Sequence, residues 1–359
     1  MSARFAGFAV ASLLLSASLA AQAEPMDLAI ERLVANASSC LSADGAGRFE
    51  PTSAQDCRPD NAAFKRLVNQ LGFALAPAAM HAARTTGFGG FNVALEASYT
   101  TISNDADYWK RGTQGAPDPS TKQAPTINQS PASLLQQYSL KLRKGFGYGV
   151  EVSGIVGFLP QTSLINGGAD ARLAVLEGFR TGVLGIFPDV AIGGGVRTVT
   201  GTPQLQLTTV GFDVQISKPL VLADSSVLTP WLGYQYLWIF GDSGVVDLTP
   251  GTSAQGACNY RGQNVPGNPD PNKPYYDGQQ ICQGGSPRDF NNNVVFDPVR
   301  VHRQRLHLGL NYRYEMLLAG ALLLTDMLTP ADANSGQNKA DLKDEKRQTT
   351  VVLELGAMF

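Results

Sequence analysis

Histidine and cysteine are scarce in this chain of 359 residues, with three and four copies, so little material exists for a metal centre or a histidine-based catalytic dyad. Beyond the first two dozen residues no stretch approaches the ~20 uninterrupted apolar positions of a membrane-spanning helix. Neither sign of charge dominates. The 28 Lys and Arg stand against 30 Asp and Glu, a formal net of −2, which argues against nucleic acid as a partner. What is abundant is glycine, at 38, together with 11 Tyr and many Thr and Gln.

Residues 1–23 carry a basic Arg4, an apolar run from Phe5 to Leu19 and a small-x-small site at Ala21-Gln22-Ala23. These features predict a cleaved secretory signal and a mature chain beginning at Glu24. In an exported chain Cys40, Cys57, Cys258 and Cys282 are expected as disulfides, most simply Cys40 with Cys57 and Cys258 with Cys282, although four cysteines permit three connectivities. No His lies at ligand spacing from either pair, which disfavours zinc.

From Phe91 onward apolar and polar residues alternate. FNVALEASYT sets Phe91, Val93, Leu95, Ala97 and Tyr99 against Asn92, Ala94, Glu96, Ser98 and Thr100, and RLHLGLNYRYE repeats the pattern near residue 310. Period two over ten or more residues predicts long strands, at about 88–102, 132–144, 147–159, 169–180, 188–200, 204–217, 228–241, 298–315, 316–328 and 347–359. Twelve strands would require a hairpin hidden in the insert before residue 298. Long polar connections at 103–131, 242–297 and 329–346 alternate with short ones such as 144–147. Such asymmetry, with Tyr99, Tyr148, Trp231, Trp238, Tyr312 and Tyr314 near strand ends, predicts an all-β chain forming an antiparallel transmembrane barrel of about ten strands over residues 87–359. A β-sandwich is the competing architecture, but its strands run to ~5–6 residues.

The last strand, TTVVLELGAMF, places Val351, Leu353, Leu355, Ala357 and Phe359 on one face. In this it resembles bacterial outer-membrane β-barrel proteins, whose final strand ends in Phe behind alternating apolar residues, a pattern read by the barrel-insertion machinery. The resemblance implies the Gram-negative outer membrane as location, with lipid and that machinery as partners. It is architectural and names no activity.

Residues 24–86 differ in kind. PMDLAIERLVAN is predicted helical, and NAAFKRLVNQLGFAL places Phe64, Leu67, Val68, Leu71 and Leu75 on one stripe, opened by Asp60 or Asn61 and closed by Pro77. An isolated helix of this length is marginal in water, so its stripe needs cover: in the barrel as a plug, beneath it, or on a partner. Inward parity at Leu135, Ile155, Leu237 and Ile239 leaves apolar groups in the lumen, which such a helix or a greasy ligand would cover, or which a narrow barrel would pack among its own side chains.

The same parity collects Glu96, Lys141, Arg143, Arg197, Asp213, Arg303, Arg305, His307, Arg313 and Glu354 as lumen or constriction candidates, with Glu151 and Arg172 beside them. Arg197, Arg303 and Arg305 would bias a constriction toward small polar or anionic solutes. Glu354, Glu96 and Lys141 are expected to form an ion-pair ladder across the closing seam, and His307 is expected as a hydrogen-bonded filler. Asp105 and Asp107 are a weak calcium candidate. No cofactor is expected. Catalysis by paired acids and an acid–His pair, as in ten-stranded omptin proteases, lacks its second half, since Asp297 and His302 flank Pro298 with no Asp-x-His. The leading expectation is solute passage gated by the N-terminal segment. The alternative is a non-conducting barrel whose long loops anchor envelope proteins.

Overall fold

The computed structural model describes residues 23–35, 42–43, 49–50, 57–117, 120, 127–178, 186–248, 258–260, 280–282 and 293–359. The alternating segments form β1 (Phe91–Thr101), β2 (Leu134–Gly145), β3 (Val150–Phe158), β4 (Ile165–Leu176), β5 (Asp189–Thr200), β6 (Leu205–Ser217), β7 (Ser226–Ser243), β8 (Val299–Tyr314), β9 (Leu317–Asp326) and β10 (Thr349–Met358). Each pairs antiparallel with the next, and β10 pairs with β1 from Thr350 opposite Thr100 to Met358 opposite Asn92. The sheet is therefore a closed barrel of 10 strands. Closure removes the unpaired edges that no lipid-exposed sheet tolerates.

A hairpin does exist in the long insert, but its ladders, Val246–Asp247 with Asn293–Val294 and Cys258–Tyr260 with Gln280–Cys282, pair only with each other. Twelve strands are thereby ruled out. The fourth strand starts four residues earlier than expected, because Gly167 and Gly168 have no side chains to declare a face.

Burial along the strands is inverted relative to a water-soluble protein. On β10, Leu355 is 68% exposed while its neighbour Glu354 is 1% exposed. Leu140, Val156, Phe212, Leu232, Leu308 and Leu353 likewise point outward, whereas Lys141, Arg172, Gln235 and Arg303 point inward and are buried. At ~25 cal/mol per Å² of apolar surface, so wide a greasy belt is stable only where lipid covers it. Tyr148, Tyr312 and Tyr314 stand exposed near one rim, as interface aromatics do. Trp231 does not join them: it is buried inside the barrel, edge-on to His307.

One end of the barrel has tight connections, including the two-residue turn Glu315–Met316, whose Glu315 adopts φ +50°. The other end carries the long loops, with α2 (Asp107–Arg111) after β1 and α3 (Pro330–Ala333) and α4 (Gln337–Asp341) after β9.

The expected helix α1 (Asn61–Leu75) is present, with Asp60 accepting a hydrogen bond from the Ala63 amide at 2.9 Å as its N-cap. Its stripe of Phe64, Leu67, Val68, Leu71 and Leu75 is buried in one core with Leu135, Leu237 and Ile239 from the inner wall. The other expected helix is only a turn at Ile30–Arg32. Its amides and carbonyls are used across loops instead: Ala29 donates to Gly112 at 2.9 Å and Gln114 to Asp27 at 2.9 Å.

The lumen and the segment that fills it

Helix α1 enters from the long-loop end, where Asn61 donates to Asp297 at 2.8 Å and Phe64 stacks on Phe296 at 4.7 Å. Residues 76–90 continue inside the wall to the tight-turn end, where the Gly90 carbonyl accepts from Gly145 at 3.0 Å and β1 begins. Residues 23–35 remain at the loop end, Met26 donating to the Gln161 carbonyl at 2.9 Å. The chain thus runs the length of its own barrel.

At the loop end the seal is apolar around one polar node. The Gln70 side chain donates to Glu345 at 2.6 Å and accepts from Trp109 at 2.8 Å, and the Tyr108 hydroxyl donates to Glu345 at 2.7 Å. These bonds tie α1 to the loops after β1 and β9. Burial raises the Glu345 carboxyl above the ordinary carboxylate range, against the Tyr108 and Gln70 hydrogen bonds, which pull it down.

Deeper in, the last turn of α1 leaves carbonyls without helical partners, as every helix does. Arg305 donates to the Phe73 carbonyl at 3.1 Å and to Pro77 at 2.6 Å, and Asn166 donates to Leu75 at 3.1 Å. A guanidinium at a helix C-terminus also meets the negative end of its dipole. The Arg303 and Arg305 guanidiniums lie 4.5 and 5.0 Å from the centre of the Phe73 ring. Below the helix, Gln235 donates to Pro77 at 3.2 Å, Gln215 to Ala79 at 3.1 Å, and Arg172 to Ala82 at 2.9 Å. The wall therefore grips this segment by its backbone.

The inward charges pair along the wall. Lys141 meets Glu96 at 2.9 Å, Arg197 meets Asp170 at 2.7 Å, Arg172 meets Asp213 at 3.3 Å, Arg143 meets Glu151 at 3.6 Å, and Arg303 is paired with Asp326. Arg197 and Arg303 are thus engaged by carboxylates, and Arg305 by the segment and Gln235. The expected seam ladder forms only in part: Glu354 lies opposite Glu96, but its carboxylate oxygens have no hydrogen-bond partner among the described residues. His307 is buried with both ring nitrogens unpartnered, so it is not the hydrogen-bonded filler expected. Arg313 lies at the tight-turn end and is exposed.

Parity alone missed Asp170, Asp326, Asn166, Gln215 and Gln235. The amides carry no charge to attract notice, although Gln215 and Gln235 share the inward parity of Asp213 and Leu237. Asp170 lay within the expected strand 169–180 and shares the parity of Arg172, so it was legible and passed over.

Elsewhere, Val351, Leu353, Leu355 and Phe359 are exposed on the outer face, and Phe359 pairs with Phe91 through two backbone hydrogen bonds, at 2.7 and 3.0 Å. Asp107 is bonded to Arg111 at 2.6 Å, and Asp105 is exposed on the loop. His302 stacks on Tyr236 and Asp297 is engaged by Asn61, so the two are not assembled as a catalytic pair. Cys258 stands directly opposite Cys282 in the insert ladder, Cys57 is buried, and Cys40 and the leader 1–22 lie outside the described residues.

No family model and no curated protein matches the chain. Among solved structures, it is similar to Ail, the attachment invasion locus protein of Yersinia pestis, at 10% identity over 76% of this chain and 99% of that one, TM-score 0.25. It is also similar to Omp33 of Acinetobacter baumannii (8%, 77% and 100%, TM-score 0.25) and OprG of Pseudomonas aeruginosa (10%, 78% and 99%, TM-score 0.25). The closed ring, lipid-type outer belt and polar interior define the class: a bacterial outer-membrane β-barrel. Its place is the Gram-negative outer membrane.

Proposed function

We propose that the protein is a narrow passage for small polar or anionic solutes, held shut at rest by residues 61–90. The tight-turn end faces the periplasm and the long loops face outward, the arrangement general to such barrels.

One observation carries this reading. Five buried ion pairs of the lumen join one wall strand to another, β1 to β2, β2 to β3, β4 to β5, β4 to β6 and β8 to β9, while below α1 the segment adds Arg84 with Glu177 at the rim and His81 beside Glu151. Withdrawal of the segment leaves those charges paired. The contacts it breaks in the lower lumen are largely side-chain bonds to backbone carbonyls, which water can replace. A filler required for the wall's own stability would instead carry the counter-charges.

The apolar seal around α1 favours a second reading, a non-conducting anchor that displays its loops to envelope partners. Conductance of the purified protein in planar bilayers separates the two. The full chain is expected to be mostly silent, and deletion of residues 24–84 to give steady openings. Silence in both would remove the passage.

A further inference from the structure

At the tight-turn end, between the segment and the wall, lies a cavity of about 150 Å³. Three guanidiniums line it, those of Arg84, Arg143 and Arg313, against a single lining carboxylate, Glu177. Arg84 lies 3.5 Å from Glu177, and Arg143 lies 3.6 Å from Glu151, which is buried on the inner face and accepts from the Thr86 amide at 2.8 Å. Arg313 has no ion-pair partner among the described residues.

Unpartnered polar atoms converge on the same space. Neither the amide nitrogen nor the oxygen of Asn311 has a hydrogen-bond partner, although the residue is only 6% exposed. His81 Nδ1 and Thr86 Oγ1 are likewise buried without partners, and both residues line the cavity. Buried polar groups in native proteins are nearly always satisfied, so these atoms call for water or a polar ligand at the cavity. The cavity has room for several waters or for one small oxyanion.

We propose that this cavity binds a small carboxylate or phosphate anion from the periplasmic side. Arg313 and Arg143 supply charge-assisted hydrogen bonds, and Asn311, Thr86 and His81 complete the shell. Arg143, Asn311 and Arg313 belong to the wall, whereas His81, Arg84 and Thr86 belong to the segment. A bound anion therefore bridges the two and holds the segment in place. That consequence rests on the gated-passage reading; the binding itself does not.

The test is calorimetric titration of the full chain, refolded in detergent, with succinate and with inorganic phosphate, and with glucose as the uncharged control. Saturable binding of either anion is expected, with at least a tenfold loss in Arg313→Gln. That residue is exposed and without an ion partner, so its replacement leaves no orphaned charge. Asn311→Ala is expected to weaken binding as well, and the better-bound anion identifies the oxyanion type. Absence of saturable binding by both anions, or binding by both variants equal to the parent, would overturn the site. Binding that leaves bilayer conductance unchanged would uphold the site while removing its link to gating.

Discussion

Arg305 shows how a single buried side chain sets the state of the lumen. It is fully enclosed, lacks a carboxylate partner among the described residues and directs its donors to Gln235 and to the Phe73 and Pro77 carbonyls. Charge-assisted hydrogen bonds contribute ~1.5–3 kcal/mol each. Arg305→Ala is therefore expected to loosen the docked segment by roughly 3–6 kcal/mol, two such bonds, while the barrel still folds, seen as faster thiol labelling of a cysteine placed at Ala78. Glu345 adds a pH dependence. Burial lifts its pKa in the docked state above the ordinary value of 4.5, so the docked state holds the proton more tightly than the released one. Docking is accordingly tightest below about pH 4.5 and weakens as pH rises from there through the raised value. The same labelling rate should increase across that window, and Glu345→Gln should flatten the profile.

The strands were legible because period two survives even where composition is bland, and because lipid outside and charges inside enforce it on every strand. Leu237 and Ile239 broke the expected polarity of the inner face, which a helix, a greasy ligand or the wall's own side chains would each explain; α1 is what covers them. What could not be read was the pairing of groups distant in the chain, such as Arg305 with the Phe73 carbonyl or Gln70 with Glu345. These depend on the depth at which α1 sits, which no local pattern encodes. That depth is set partly by two glycines. A methyl group on Gly72 would lie 2.4 Å from Ile239 Cγ2, and one on Gly241 2.4 Å from Val68 Cγ1. Gly241→Leu is expected to cost docking ~1–3 kcal/mol by overpacking, raising open probability without loss of the heat-modifiable barrel band on gels. At the seam, removal of Phe359 deletes two backbone bonds to Phe91 and an exposed ring, and should lower outer-membrane assembly without affecting export, as read by fractionation.

For the whole molecule the decisive question is whether the segment moves relative to the wall. The position of a Cβ on Gly241 lies 3.5 Å from the Val68 Cβ, within the range a disulfide spans. The double variant Val68→Cys, Gly241→Cys is expected to lose the rare openings of the full chain when oxidised and to regain them when reduced, with Val68→Cys alone as the control for the native cysteines. Equal, non-zero conductance in both redox states would mean that solute passes without displacement of α1, and silence in both would favour the anchor.

Residues 23–35 rest at the loop end, yet β1 starts at the opposite rim, so the ring encircles a strand of its own backbone like a bead on a string. Such a topology constrains assembly: residues 57–90 either lie across the nascent sheet when β10 zips onto β1 or thread a ring already closed. A stably folded domain fused ahead of Glu24 would block the second route and leave only the first.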